Sequence, residues 1–358
     1  MVDKRDGTAH AWLARLLAVC ACLGAVAAGR AQPAPAAPLH LHIVGGLAHL
    51  IQYTHFEEPF WTRELPRLTG GRVTAEIVPF DAAGLGGQEM LRLVQIGAVP
   101  FGTMLLSVSS TQEPELAAPD LAGLNPDIAS ARRSVAAYRP HLEQLLHERY
   151  GIRVLAVYVY PAQELFCARP ITGLASLAGL HVRVSSPTQA DFMLGLGAIP
   201  TRTAFADIVA NLRNGNVDCA VTGTMSGHIV GLDRATQYLL DLPVNWGMAV
   251  FVANEAAWSG LPDDVQRLLE RETGKLADRI WAETERETRD GVACDIGAAA
   301  CTDAVRGHMT LVRPGAADAR LRRRMLVDHV LPAWFKRCGP ACAAIWRGTL
   351  APVAQLDR

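Results

Sequence analysis

The chain has 358 residues, a formal net charge of −1, and a composition that is half hydrophobic and 19% charged. A nearly neutral chain whose one basic cluster is "RLRRRM" at Arg320 to Met325 carries no nucleic-acid footprint, and that cluster reads as a solvated helix face. The length is enough for two hydrophobic cores, so two domains are expected.

The amino terminus comes first. Lys4, Arg5 and Arg15 precede an uninterrupted apolar run from Leu16 to Ala28, followed by the small-residue pattern "GRA". This is the pattern of a secretory signal peptide over 1–31, and the run is well short of the roughly 20 residues that a membrane-spanning helix needs. Cys20 and Cys22 raise the alternative of a lipoprotein, but Val19 precedes Cys20 and the apolar run continues past Cys22. "PAPAAP" then forms a short extended leader within 32–38. An exported, periplasmic protein is expected. Six cysteines remain beyond the signal: Cys167, Cys219, Cys294, Cys301, Cys338 and Cys342. An even number in an oxidising compartment favours disulfides. Two bridges can be local, Cys294 with Cys301 and Cys338 with Cys342, which leaves Cys167 with Cys219, although connectivity stays open at this level. "CGPAC" is not the C-x-x-C spacing of structural zinc and no metal is expected.

Short β-like runs then alternate with helical ones, the pattern of an α/β protein with mostly parallel strands. Strands are expected at Leu39 to Val44, Arg72 to Pro79, Gly151 to Val159, His181 to Val184, Val217 to Thr222 and Met248 to Asn254. Helices are expected in "GGQEMLRLVQIG", from about Thr188 to Leu196, and from about Phe205 to Arg213. The longest begins after Pro262, which suits a first helical turn. Val265, Leu268, Leu269, Leu276 and Ile280 recur at helical spacing up to Gly291. Some 28 residues at 1.5 Å each span roughly 42 Å, more than one small domain, so this helix is expected to lie across both.

Five pieces in order, "TGGRVTAEIVP", "AGLGGQEMLRLVQIGAV", "LASLAGLHVRV", "LGAIPTRTAFADIVANLRNGNVDCA" and "VANEAAWSGLPDDVQRLL", resemble the DctP-type solute-binding proteins of tripartite ATP-independent periplasmic (TRAP) transporters over nearly the whole mature chain. The resemblance implies a two-lobe α/β clamp with a long bridging helix, a carboxylate ligand in the cleft, no cofactor, and the transporter's membrane subunits as partners. It also implies a monomer. Lobe I would comprise 39–160 and 248–290, and lobe II 161–247 and 291–358, with hinges near Tyr160 to Pro161 and Asn245 to Gly247.

The same resemblance places Arg183, in "HVRV", where relatives pair an arginine with the ligand carboxylate. A guanidinium suits that role because its planar fork of donors meets a carboxylate two bonds at a time. The alternative is an arginine leaving a strand end for water. In "YPAQELFCARPI" the second arginine of some relatives is replaced by Gln163, and Arg169 is expected to face solvent or a lobe surface. "VDCAVTG" puts Thr222 where relatives carry asparagine. Ser186 and Phe205 stand at cleft positions, and Trp246 is either a stacking surface for a flat ligand or ordinary core. With one guanidinium in reach, the expected ligand is a monocarboxylate with an apolar, cyclic or aromatic body. His40 and His42 share one face of the first strand, and a solvated edge accounts for them.

A secreted hydrolase is the rival class, yet "GTMSG" lacks the G-x-S-x-G spacing of a nucleophile elbow, and "GLGG" is not a dinucleotide-binding loop. No enzymatic activity is expected. A ligand-binding sensor for a signalling partner would use the same fold and pocket.

Overall fold

The computed structural model describes residues 38–355. The signal segment, most of the leader, Cys20 and Cys22 lie outside the described residues. No described helix is long and apolar enough to cross a membrane.

Two sheets organise the α/β fold. The first combines β1 (Leu39–Gly45), β2 (Val73–Pro79), β3 (Phe101–Leu105), β4 (Ile152–Val159) and β10 (Met248–Asn254) in the order β2-β1-β3-β10-β4. The second combines β5 (Gln163–Cys167), β6 (His181–Val184), β7 (Ile199–Arg202), β8 (Cys219–Gly223), β9 (Tyr238–Asn245) and β11 (Thr310–Val312) in the order β11-β9-β5-β8-β6-β7. Both sheets are mixed yet keep the expected mostly parallel order, with β10 in the first running against β3 and β4, and β5 in the second against β8 and β9. The cause is chain path: β4 leads across into β5, and β9 leads back into β10, so each crossing strand enters its new sheet against its neighbours.

The two crossings are held together. Tyr160 N donates to Gly247 O at 3.2 Å, and Gly247 adopts φ +62°, a left-handed conformation that glycine takes without strain. The carboxylate of Asp120 accepts from Asn245 Nδ2 (2.8 Å), Trp246 N (2.9 Å) and Gly247 N (2.9 Å). Burial pushes Asp120 up to about 6, against the pull of those donors.

The long helix runs Asp263–Asp295, 33 residues, past the expected end at Gly291. Trp281 Nε1 donates to Val157 O and Thr284 Oγ1 to Val159 O, both on β4 of the first sheet. A turn later Thr288 meets the second: its hydroxyl accepts from Ala162 N, and its carbonyl accepts from Thr224 Oγ1. The close crossing with the helix Thr224–Val230 requires Gly291, because a Cβ there would stand 2.3 Å from Met225 N.

The helix Ile128–Tyr150, capped by Asp127 and ended by Gly151 at φ +60°, packs beside β4. The carboxy-terminal helix Pro340–Ala354 lies against it, and Trp334 Nε1 reaches Pro114 O at 2.7 Å. Arg337 grips Asp191, on the helix Pro187–Gly195, with both guanidinium nitrogens. Disulfides join Cys167 to Cys219, Cys294 to Cys301 and Cys338 to Cys342. The first ties β5 to β8 at facing register positions.

Candidate functional site

A cavity of about 420 Å³ lies between the two sheets. Leu47, Leu50, Phe80, Leu105 and Val108 form its wall on the side of the first sheet. Arg183, Ser185, Arg202, Thr203, Phe205 and Thr222 form the wall on the side of the second, with Tyr160, Gln163 and Gly247 at the crossings. Two arginines and no aspartate or glutamate line it, so the cavity is electropositive.

Arg183 is placed by register. It sits in β6 opposite Thr201 of β7 and Ala220 of β8, so its side chain extends from a strand paired on both sides, one in from the sheet's edge. Only 2% of it is exposed. Nη1 donates to Val221 O at 2.8 Å and Nη2 to Thr203 O at 2.9 Å, which fixes the guanidinium plane. Its Nε has no partner, and among the described residues no carboxylate stands at ion-pair distance from it. Burial without a counter-ion pushes it down to about 10, a shift that Asp207 only partly opposes. A buried, uncompensated cation costs several kcal/mol, and an anion entering the cavity would relieve that cost.

Phe205, partly buried, offers a ring to the cavity, and Thr222, 2% exposed, offers a hydroxyl. Gln163 also lines it, with Nε2 held by Pro161 O at 2.9 Å. Ser186 and Trp246 are not in the lining. Ser186 is fully buried and caps the helix Pro187–Gly195, its hydroxyl accepting from Gln189 N, while its neighbour Ser185 takes the place in the wall. Trp246 is core: its indole Nε1 donates to Asn125 O at 3.1 Å and it is 3% exposed. Arg169 faces outward beside Asp218.

Sequence reasoning missed Arg202. It closes the rim of the cavity, exposed, with Nη1 donating to Thr111 Oγ1 at 3.1 Å. Its signal was faint, since "IPTR" holds no alternation and becomes a strand only by parallel pairing with β6, which sets Arg202 beside Val184. Tyr160 was seen only as a hinge residue, yet its phenol lines the wall, and burial raises its pKa so that it stays a neutral donor. Ser185 was also missed, and a chain of side chains ties it to the crossing. Gln189 Oε1 accepts from Ser185 N, Gln189 Nε2 donates to Asn245 Oδ1, and Asn245 Nδ2 reaches Asp120.

The model of the bacterial extracellular solute-binding protein family 7, DctP, matches residues 51–293. A solute-binding protein from Roseobacter denitrificans is 28% identical over 211 residues, 56% of this chain and 61% of that protein, so the match leaves more than a third of the relative's length uncovered. Among solved structures, a Bordetella pertussis extracytoplasmic solute receptor binding pyroglutamic acid superposes with a TM-score of 0.76 at 19% identity. It covers 86% of this chain and 98% of its own. A TRAP periplasmic solute-binding protein from Desulfovibrio salexigens with bound orotic acid gives 0.78 at 17% identity, covering 88% and 99%. With a family model spanning most of the chain and a fold shared with these receptors, the protein belongs to the bacterial extracellular solute-binding protein family 7, DctP.

Proposed function

We propose that this protein is a periplasmic receptor that closes around a small carboxylate and delivers it to the membrane subunits of a TRAP transporter, without chemistry on the ligand. One observation carries the reading: a buried Arg183 with no counter-ion in the wall of a cavity lined by arginine and free of acidic side chains. The guanidinium would take the carboxylate in a bidentate pair, and Thr222, Tyr160 and Gln163 would serve further polar atoms of the ligand.

The preferred ligand is a monocarboxylate with a compact cyclic or apolar body. Phe205 and Phe80 supply flat surface, Leu47, Leu50, Leu105 and Val108 the rest. Pyroglutamate and orotate, the ligands of the two receptors above, are acids of that kind. Arg202 amends the charge count, because a second carboxylate would find a guanidinium at the rim. That group is exposed and already engaged with Thr111, so it compensates less well than a buried partner.

Lobe closure would turn on the crossings at Tyr160–Pro161 and Asn245–Gly247, between a lobe built on 39–160 and 248–290 and a lobe built on 161–247 and the segment after 291.

A thermal-shift panel tests the ligand class. Pyroglutamate, orotate and related cyclic acids are compared with succinate, malate and fumarate at equal concentration, and a ligand at 100 times its Kd stabilises by about 2.7 kcal/mol. A cyclic monocarboxylate is expected to give the largest shift. The largest shift from a dicarboxylate would overturn the monocarboxylate preference and assign the second charge to Arg202; no shift from any acid would overturn the anion reading itself.

A further inference from the structure

Beside the second sheet, the helix Thr224–Val230 and its neighbours hold a cluster that does not line the cavity. His228 on the helix Thr224–Val230, Asp233 in the turn after it, and Asp295 at the last position of the long helix each bring one donor atom within 4.8 Å of the others, and all three residues are buried. His228 Nδ1 stands 3.2 Å from Asp295 Oδ1. Two carboxylate oxygens in the cluster have no hydrogen-bond partner, Asp233 Oδ1 on a residue 5% exposed and Asp295 Oδ2 on one wholly buried. Glu164, also buried, has an unpartnered Oε2 and is close enough for its charge to act on Asp295.

The charges do not balance. One imidazole faces two or three buried carboxyls, and each unpaired buried charge is costly. The local backbone adds to the imbalance, because Asp295 ends one helix and His228 lies in the last turn of another, where carbonyl groups concentrate negative potential. The loop that follows is pressed onto the cluster and tied down by the Cys294–Cys301 disulfide. A Cβ on Gly307 would lie 2.3 Å from Asp295 O and 2.9 Å from Asp233 Cβ.

We propose that His228, Asp233 and Asp295, none of which lines the ligand cavity, form a binding site for a divalent cation of the zinc class. Bonds of about 2.0–2.1 Å at tetrahedral angles set neighbouring ligand atoms about 3.3 Å apart, close to the separation of His228 Nδ1 and Asp295 Oδ1. Asp303 Oδ2 lies 3.7 Å from His228 Nε2, beyond hydrogen-bond reach but on the side where outer carboxylates stand for metal-bound imidazoles. A nitrogen donor with so few oxygens argues for zinc over calcium, which takes six to eight oxygens. The cation would lock the end of the long helix to the turn after the helix Thr224–Val230.

The test uses the mature protein carrying His40→Ala and His42→Ala, because those exposed side chains with Glu76 form another grouping at ligand spacing. After EDTA treatment and dialysis it is equilibrated with zinc chloride, and bound zinc is counted by mass spectrometry after gel filtration. One zinc per chain is expected, with a rise in Tm, and calcium should produce neither. His228→Ala and Asp233→Asn should each weaken zinc binding by about a hundredfold or more, with the circular dichroism of the zinc-free protein unchanged. Asp233→Asn alone suffices if His228→Ala does not fold. Less than half an equivalent of zinc at about tenfold excess, binding unaltered by Asp233→Asn, or calcium bound in preference to zinc would each overturn the proposal and leave the cluster as a His228–Asp295 ion pair.

Discussion

Arg183 is held in place by two backbone carbonyls and lacks a carboxylate, so the protein keeps a cation buried in advance of its ligand. Arg183→Ala is expected to cost about 2–5 kcal/mol of binding energy, the usual result of removing one member of a buried charged pair. Arg183→Lys should also fail to restore affinity, because an ammonium cannot reproduce the fork. Calorimetry with the cognate acid reads both; affinity within threefold of wild type in Arg183→Ala would contradict the assignment. Arg202→Ala should cost about 1 kcal/mol or less for a monocarboxylate, as exposed pairs do. A second buried residue predicts a pH effect. Glu57 accepts from Tyr158 Oη (2.5 Å), Gly46 N (2.8 Å) and Thr103 Oγ1 (3.2 Å), and burial pushes it from 4.5 up to about 7. The folded carboxyl thus holds its proton to higher pH than the unfolded one. Its contribution to stability is full below about 4.5 and is lost as the pH rises through about 7. Glu57→Gln keeps the neutral shape at every pH, so between pH 5 and pH 8 the variant should gain on wild type by on the order of 1–3 kcal/mol. Chemical denaturation at the two pH values measures it, and identical pH dependence in both proteins would contradict it.

Among the elements, the Cys167–Cys219 bridge links adjacent strands across 52 residues of chain. Replacing both cysteines with alanine should lower stability by about 2–4 kcal/mol, since the unfolded chain regains that loop's freedom. A thiol-reactive dye should label the denatured, unreduced mature protein at essentially no site; labelling of two or more thiols would contradict three formed bridges. Elements with their own periodicity were legible in the sequence. β6 and β10 fall at the expected residues, and the long helix extends four residues beyond its expected end. Elements defined by partners were not. β5 reads as "QELFC", opening with two polar residues, and becomes a central strand because β8 and β9 pair on either side. β3 and β9 escaped notice for the same reason. The helix Ile128–Tyr150 is masked by Pro140 and by a weak apolar stripe, and is built by contacts with β4 and the carboxy-terminal helix.

At the scale of the molecule, the site was legible where one residue sat in a recognisable stretch and illegible where it depended on register between distant ones. Arg183 followed from "HVRV", whereas Arg202 needs the pairing of β7 with β6, and the exclusion of Trp246 needs the placement of Asn125 behind it. The crossings, bound to Asp120 and to each other, would serve as the pivot of the proposed closure. Small-angle scattering should therefore show a smaller radius of gyration with saturating ligand, and an unchanged radius would contradict closure about that pivot. If the proposed function holds, the buried guanidinium of Arg183 receives a carboxylate inside this cleft. A crystal structure of protein purified without refolding, with its co-purified or added acid, tests it most directly. Density is expected between the two sheets, with two carboxylate oxygens about 2.7–2.9 Å from the guanidinium nitrogens of Arg183. A ligand bound in the cleft with its carboxylate turned away from Arg183, or an uncharged ligand there, would contradict it.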